Sequence, residues 1–334
     1  MRLKLQERIE LLLRLGEYMG GNGAGWEAAK HKAYLANNWF TPGFIDLAVA
    51  NIRAAYLDPA ALQGLAGRYA LPDDPAAPKK VGLVLAGNIP LVGFHDILCT
   101  FLSGHYAWIK LSSKDEALLQ HLLAKLIEWQ PGAAPYLDIR ERLSGAEAFI
   151  ATGSNNTARY FEHYFARFPH IIRQNRTSVA VLDGTETAGE LEKLADDICQ
   201  YFGLGCRNVT ALRVPKNYDF LPLLGALNKY SELQHHNKFR NNYDYQLAVH
   251  ILNNRFYMTN GAVLLVEHES PFAPISEVHY QFYEDRAAAV AALGARTDIQ
   301  CLVGHGHLPF GEAQVPAVDT WADGVDTLQF LSSL

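Results

Sequence analysis

The chain has 334 residues, of which 49% are hydrophobic and 19% are charged, and its formal net charge is −6. This composition is typical of a soluble globular protein and excludes the disordered and fibrous classes. The acidic balance argues against a protein that binds a nucleic-acid backbone, and the length predicts two domains.

No apolar run approaches the roughly 18 residues that a membrane helix needs, so we predict no membrane span. The four cysteines lack the CxxC and Cys/His spacings of zinc sites, and we predict free thiols and no metal. The first residues lead into charged amphipathic sequence, and a cytoplasmic location is expected.

Helices are predicted for the N-terminal part of the chain. Leu5, Ile9 and Leu12 recur at helical spacing. Pro42 would be the first residue of a later helix that Thr41 caps. The proline-rich segment 71–78 cannot form a regular element and marks a boundary.

From Lys80 onward, short apolar runs alternate with helical patterns. The predicted strands cover residues 81–86, 106–110 and 148–151, and the predicted helices cover 91–103, 116–129 and 155–168. Such alternation predicts a parallel sheet that is covered by helices and binds ligands at the carboxyl ends of its strands.

The same alternation resumes after Arg176 and predicts a second α/β unit. Its predicted strands are 178–182, 209–214, 262–266, 278–282 and 299–303, and its predicted helices are 188–201, 220–227 and 286–293. The fold class predicted for the whole chain is therefore α/β.

Cys206 is the candidate nucleophile. It follows a helical pattern with Gly203 and Gly205, precedes a strand-like run, and has Arg207 beside it. A nucleophilic thiol needs an open, electropositive or helix-terminal setting, and glycines allow a substrate to approach closely. The alternative is a small buried core residue. That is our interpretation of the other cysteines, Cys99, Cys199 and Cys301.

Polar residues follow the first two predicted strands of the first sheet. Asn88 could donate a hydrogen bond to an oxyanion, and one such donor is worth about 3 kcal/mol in the transition state. Asparagine is, however, also common in turns. Lys110 with Ser112 and Ser113 could bind a ribose or its 2′-phosphate, or could simply be solvated.

Thr152-Gly153-Ser154 follows the third strand and opens a helix. Free backbone N–H groups there favour anions, although serine is also an ordinary helix N-cap. Neither the GxGxxG fingerprint nor a P-loop is present. The histidines at 235–236 and 305–307 have no partners at ligand spacing, and we interpret them as surface or turn residues.

Several of these segments, in this order and spacing, resemble the aldehyde dehydrogenase superfamily. Within it, the chain is similar to the acyl-CoA reductase family of the luminescence fatty-acid reductase type. The segments are 85–90, 108–113, 151–154, 203–206 and 309–311. The resemblance implies a Rossmann-type cofactor domain with N-terminal helices over 1–175 and a catalytic domain over 176–310. It also leaves a tail over 311–334 that could contact another copy in a homo-oligomer.

The resemblance also implies roles for single residues. Cys206 would be the nucleophile, and the Asn88 side chain with the Cys206 N–H would hold the oxyanion. The implied cofactor contacts are Lys110, Ser112, Ser113, Thr152, Gly153, Ser154 and Glu269, the last lying one position away from the superfamily pattern. Aldehyde-oxidising members carry a glutamate that activates water where this chain has residues 173–178, which include no carboxylate.

A site without that base should hydrolyse an acyl-enzyme slowly. We therefore expect reduction of an acyl-CoA substrate to an aldehyde through an acyl thioester on Cys206, with NADPH as cofactor and NADH as the alternative. A dehydrogenase acting in the oxidative direction remains open. So do a cysteine-dependent acyl-transfer or thioesterase module without nicotinamide and a non-catalytic assembly protein.

Overall fold

Two mainly parallel β-sheets organise the computed structural model, one in each of two compact units. The structure describes residues 2–334, apart from the side chain of Asn155. Unit 1 comprises the chain up to Asn175 together with Pro316–Leu334, and unit 2 is Arg176–Val315. The predicted α/β class is confirmed.

The sheet of unit 1 is doubly wound. Its strands are β1 (Lys80–Val84), β2 (Tyr106–Lys110), β3 (Leu137–Ile139), β4 (Ala148–Thr152) and β5 (His170–Arg173). They lie in the order β3-β2-β1-β4-β5, and every neighbouring pair is parallel. The chain reverses its direction across the sheet between β1 and β4, which is where ligands bind in open α/β sheets.

The helices of unit 1 are α1 (Leu5–Met19), α2 (Ala24–Ala36), α3 (Pro42–Ala55), α4 (Pro59–Arg68), α5 (Phe94–Leu102), α6 (Ala117–Trp129), α7 (Asn155–Phe165) and, near the C-terminus, α12 (Thr327–Ser332). Pro42 does begin α3 after Thr41, as predicted. The core between α1, α5 and α6 is lined by leucines and phenylalanines such as Leu15, Leu98 and Phe101.

Unit 2 repeats the strand–helix alternation. Its strands are β6 (Thr177–Val181), β7 (Val209–Pro215), β8 (Met258–Thr259), β9 (Leu264–Glu267), β10 (Glu277–Tyr283) and β11 (Ile299–Val303). Its helices are α8 (Ala188–Cys199), α9 (Leu221–Leu227), α10 (Asn237–Leu252) and α11 (Arg286–Gly294). The sheet order is β11-β6-β7-β10-β9-β8, and β8 with β9 is the one antiparallel pair among these strands.

The end of the chain packs with unit 1. Arg68 forms an ion pair with Asp319 at 2.6 Å, and the Tyr69 hydroxyl donates to Asp326 at 2.6 Å. The segment that joins unit 1 is Pro316–Leu334, whereas the sequence-based division placed the tail at 311–334. None of the helices described within residues 2–334 combines the length and apolar character that crossing a bilayer requires.

Candidate functional site

The carboxyl edge of the unit 1 sheet gathers several of the predicted site residues. Lys110 ends β2 opposite Val84 of β1, and Val84 lies opposite Ala151 of β4. Because adjacent strands are about 4.8 Å apart, the segments that follow these strands start within roughly 10 Å of one another. The residues brought to this edge are Asn88, Lys110, Ser112, Ser113, Thr152, Gly153 and Ser154.

The residues that follow β1 form the Asn88 loop (residues 85–93), which packs directly against the segment after β2. A side chain on Gly87 would place its Cβ 2.5 Å from Ser112 Oγ and 3.2 Å from the Asp115 backbone nitrogen. Glycine is therefore required at this position by close approach. Asn88 itself is half-buried, and Lys110 and Ser113 are exposed.

The segment after β4 opens α7 with an ordinary cap. The Ser154 hydroxyl accepts the Thr157 N–H at 3.3 Å, so serine serves as the helix N-cap here. The Gly153 N–H donates to the Arg173 carbonyl at 3.1 Å. A Cβ at Gly153 would lie 3.0 Å from Thr157 Cβ, so this turn is also tightly packed. The cofactor role of 152–154 stays a prediction.

In unit 2, Cys206 lies on a turn that follows an unusual backbone segment. Tyr201, Phe202 and Gly203 have φ values of +53°, +58° and +72°. Left-handed residues other than glycine cost roughly 1–3 kcal/mol each and persist only where the surrounding structure holds them. The Cys206 turn (residues 203–208) leaves the cysteine half-buried before β7.

Asn208 builds this turn. Its side chain is fully buried, and its Oδ1 accepts the Gly205 N–H at 2.8 Å. Its Nδ2 donates to the carbonyls of Asp197 at 3.0 Å and Gln200 at 2.9 Å. The side chain thus closes the Cys206 turn and satisfies backbone carbonyls at the end of α8.

Neighbouring side chains hold the Cys206 turn from two directions. The Ser178 hydroxyl of β6 donates to the Cys206 carbonyl at 3.2 Å, and it lies 3.0 Å from Cys301 Sγ. On the other side, Arg207 Nε donates to the Ala313 carbonyl at 2.6 Å. The backbone around Cys206 is therefore fixed by side chains of β6 and by the segment near residue 313.

Buried Asp197 supports that segment. Its two carboxylate oxygens accept the N–H groups of Gly311 at 2.7 Å and Ala313 at 3.0 Å. Burial raises the pKa of Asp197 to about 6, although these two N–H groups oppose the shift. The predicted Pro309-Phe310-Gly311 element thus lies in the same hydrogen-bond network as the Cys206 turn.

The other three cysteines differ from Cys206 in their surroundings. Cys99 and Cys199 are buried in helices, and burial raises the pKa of both thiols. Cys301 is partly buried in β11, and burial raises the pKa of its thiol as well. The four cysteines all lie in the described part of the chain and form no disulfide.

Arg173 is the first residue of the stretch 173–178, in which the resemblance would place a water-activating glutamate. Its Nη1 lies 2.7 and 2.6 Å from the two carboxylate oxygens of Asp96, and its Nη2 donates to Thr327 Oγ1 at 2.9 Å. All three side chains are buried in unit 1. Arg173 is thus engaged in a structural ion pair that ties α12 to α5.

Glu269 is exposed on the loop between β9 and β10. The next residue is held on both backbone groups, because the Ser270 N–H donates to His268 Nδ1 at 3.0 Å and its carbonyl accepts from His279 Nδ1 at 2.7 Å. A buried carboxylate of Glu277 lies 3.5 Å from the other nitrogen of His279. Sequence patterns did not indicate this support, because its members are ordinary strand and loop residues.

His305 was interpreted as a turn residue, and the structure gives it two carboxylate partners. Its Nδ1 lies 2.8 Å from Asp183 and its Nε2 lies 3.0 Å from Glu190. Hydrogen bonds that the ring donates to these two carboxylates raise the pKa of His305. Ligand atoms of Asp183, Glu186 and His305 lie within 4.8 Å of one another, but the histidine nitrogens are already engaged with carboxylates.

Comparisons with known proteins bear on the fold and the family. Residues 75–217 match the model of the acyl-CoA reductase (LuxC) family. The resemblance to this acyl-CoA reductase family is confirmed. The matched segment includes both Asn88 and Cys206. No curated protein sequence matches the chain.

Solved structures confirm an aldehyde-dehydrogenase-like fold with a Rossmann-like domain. An NADP-dependent enzyme of E. coli is 13% identical with a TM-score of 0.65, and the match covers 90% of this chain and 73% of that one. An aldehyde dehydrogenase from Bacillus cereus in complex with NAD⁺ is 13% identical with a TM-score of 0.63, covering 90% and 72%. An aldehyde dehydrogenase from Mycobacterium tuberculosis, also complexed with NAD⁺, is 13% identical with a TM-score of 0.64, covering 90% and 73%. The family match over residues 75–217 supports an oxidoreductase.

Proposed function

We propose that this chain is an NADPH-dependent acyl-CoA reductase that converts an acyl-CoA to an aldehyde through an acyl thioester on Cys206. The observation that carries the proposal is the Cys206 turn, where a half-buried thiol stands on a backbone fixed by Asn208, Ser178 and Arg207. A turn whose backbone is fixed by several side-chain hydrogen bonds is typical of a site whose geometry matters for chemistry. The family match over residues 75–217 supports the reaction class.

Cys206 would act first as a thiolate. Its sulfur attacks the acyl carbon, the bond from that carbon to the sulfur of coenzyme A breaks, and coenzyme A leaves as a thiol after gaining a proton. One thioester replaces another, so the acyl-enzyme has a similar energy. The Asn88 side chain and the Cys206 N–H would donate to the oxygen that becomes negative in this step.

The absence of a carboxylate from residues 173–178 would preserve the acyl-enzyme. The guanidinium of Arg173, the first residue of this stretch, is occupied by Asp96 and Thr327 and cannot remove a proton from water. Without a general base the thioester hydrolyses slowly and persists until it is reduced. After reduction, the oxygen–carbon bond becomes a carbonyl as the carbon–sulfur bond to Cys206 breaks, which releases the aldehyde and restores the thiolate.

The carboxyl edge of unit 1 has a donor set that fits a nicotinamide dinucleotide with a 2′-phosphate. Lys110 ends β2 with an exposed ammonium, and the hydroxyls of Ser112 and Ser113 follow it, with no carboxylate between them. A carboxylate near this point would favour a free ribose hydroxyl over a phosphate. A reduced nicotinamide, when bound, supplies the hydride. The residues proposed to hold the cofactor also include Thr152, Gly153, Ser154 and Glu269.

The direct test measures NADPH consumption with acyl-CoA substrates of increasing chain length. We expect turnover with at least one of them, abolished by Cys206→Ala and retained by Cys301→Ala, which removes the neighbouring thiol of β11. A Cys206→Ala variant that turns over like the parent would refute the mechanism. Nucleotide titration separates the thioesterase alternative, because a module without nicotinamide should show no saturable NADPH binding.

An aldehyde dehydrogenase acting in the oxidative direction is the second candidate. The NAD⁺ complexes of similarly folded aldehyde dehydrogenases favour it. Steady formation of acid from an aldehyde and NAD⁺ without coenzyme A would identify that activity. We expect it to be slow, because residues 173–178, where a water-activating carboxylate would be needed, contain none.

A further inference from the structure

The Asn88 loop contains a strained residue that is held by a carboxylate from another loop. Leu91 has a φ of +59°, a conformation that costs a non-glycine residue roughly 1–3 kcal/mol. Its N–H donates to Asp115 Oδ2 at 2.7 Å, a bond between residues 24 positions apart in the sequence. Asp115 therefore stabilises the conformation in which the chain leaves Asn88 and enters α5.

The segment that carries Asp115 is itself firmly placed. The Asp115 N–H donates to the Ser112 carbonyl at 3.0 Å, and the Lys114 carbonyl accepts from Asn37 Nδ2 at 3.2 Å. Ser112 also presses against Gly87 of the Asn88 loop. Asp115 is thus a fixed support, and the Asn88 loop is the part that it holds.

Burial of the Asp115 side chain costs free energy, because a carboxylate loses its solvation there. It is 2% exposed, and its Oδ1 has no hydrogen-bond partner among the described residues. Burial raises the pKa of Asp115 to about 7, although the Leu91 N–H opposes the shift. The charged neighbours along the chain, Lys114 and Glu116, are exposed and do not figure among the causes of this shift. A buried polar atom without a partner is rare in native structures and calls for an explanation, and the bond to the Leu91 N–H offers one.

We propose that Asp115 is a positioning residue that holds Asn88 in place by fixing the Leu91 end of the Asn88 loop. The proposal rests on the proposed function, in which the Asn88 side chain donates to the oxyanion. Loss of the bond to Leu91 would let the loop relax towards right-handed backbone at residue 91. A donor displaced by about 1 Å can lose up to a hundredfold in rate, so the effect should appear in kcat.

The test combines Asp115→Leu and Asp115→Asn with Asn88→Ala. Leucine has nearly the shape of aspartate but accepts no hydrogen bond, whereas asparagine keeps an acceptor for the Leu91 N–H. We expect Asp115→Leu to lower kcat about tenfold with little change in the KM for NADPH, and Asp115→Asn to keep kcat within about threefold. In the Asn88→Ala background, Asp115→Leu should lower kcat no further.

Asp58→Leu is the matched control, because Asp58 also accepts one backbone N–H, that of Ala61 at 2.9 Å, but caps α4. It should lower thermal stability and leave kcat unchanged. If Asp115→Leu lacks a cooperative unfolding transition, Asp115→Ala takes its place in the cycle. Equal losses of kcat from Asp115→Leu in both backgrounds would overturn the proposal while leaving the proposed function intact. Full activity of Asn88→Ala would overturn both.

Discussion

The Cys206 turn of unit 2 and the Asn88 loop of unit 1 are both stabilised by a buried side chain, but the two side chains differ in charge. A left-handed residue other than glycine lies at each of them: Phe202 directly precedes the Cys206 turn, and Leu91 lies within the Asn88 loop. The Cys206 turn is held by a neutral amide, Asn208, whose donor and acceptor groups are all used. The Asn88 loop is held by a buried carboxylate, Asp115, that uses one oxygen and leaves the other unpaired.

A neutral anchor, Asn208, and a charged anchor, Asp115, should therefore respond differently to mutation and to pH. A fully paired amide stabilises its turn at any pH, and its removal leaves several buried backbone groups without partners. A buried carboxylate makes a bond at the expense of its own desolvation, so its contribution depends on protonation.

Removal of the neutral anchor should have the largest effect. Asn208→Ala is expected to lower the free energy of unfolding by about 5 kcal/mol, because Gly205, Asp197 and Gln200 would each lose a buried partner. Asn208→Asp should be at least as damaging at neutral pH, because it would turn a carboxylate oxygen towards carbonyl oxygens. Urea unfolding measures both. A loss below 1 kcal/mol for either variant would contradict the assigned role of Asn208.

The charged anchor should make stability depend on pH. The pKa of Asp115 is raised from 3.8 to about 7 in the folded chain, so the folded state retains a proton that the unfolded state has already released. This group therefore lowers stability as pH rises from about 4 to about 7. Asp115→Asn removes the titration, and its stability relative to the parent should increase by about 3 kcal/mol between about pH 5 and pH 8. A difference that is the same at both pH values would show that Asp115 does not titrate in this range.

Asn88, which Asp115 is proposed to position, should affect catalysis and leave stability unchanged. Asn88→Ala is expected to lower kcat about a hundredfold, equivalent to about 2.7 kcal/mol, because one oxyanion donor is lost. The KM for NADPH and the unfolding midpoint should change little. Steady-state kinetics with the preferred acyl-CoA measures this loss. A raised KM with unchanged kcat would instead indicate a role in binding.

The smallest effect should come from a substitution at Ser113, in the proposed binding site for the 2′-phosphate. Ser113→Glu places a carboxylate beside the proposed 2′-phosphate, and we expect about a tenfold loss of kcat/KM for NADPH with NADH little affected. Ser144→Glu, at an exposed position of the segment that precedes β4, is the matched control and should leave kcat/KM unchanged for both cofactors. Equal losses with both cofactors would count against this binding site.

Much of the fold is predictable because its elements carry local patterns. The apolar runs of β2 and β11 have the predicted bounds of 106–110 and 299–303. In contrast, α10 lacks the regular apolar spacing of an amphipathic helix, and no helix was predicted there. The strand β5 spans only His170–Arg173 and was not predicted, because four residues are too few to show an apolar pattern.

The candidate site is predictable only where a motif marks it. Cys206 and Asn88 stand beside glycines and strand ends, which drew attention to them. No motif marks the left-handed Tyr201 and Phe202, because the surrounding structure sets their positive φ values against the intrinsic preference of these residue types. Asp115 looks like the residue before a helix, yet it holds the N–H of Leu91 in a different loop. Contacts of this kind arise from the packing of distant segments.

The proposed mechanism requires that Cys206 carries the acyl group. The most direct measurement is the intact mass of the protein after incubation with an acyl-CoA in the absence of NADPH, followed by peptide mapping. We predict a mass increase equal to one acyl group, located on Cys206, absent in Cys206→Ala and lost on addition of NADPH as aldehyde appears. An unmodified Cys206 in an enzyme that still produces aldehyde, or an acyl group on another cysteine, would contradict it.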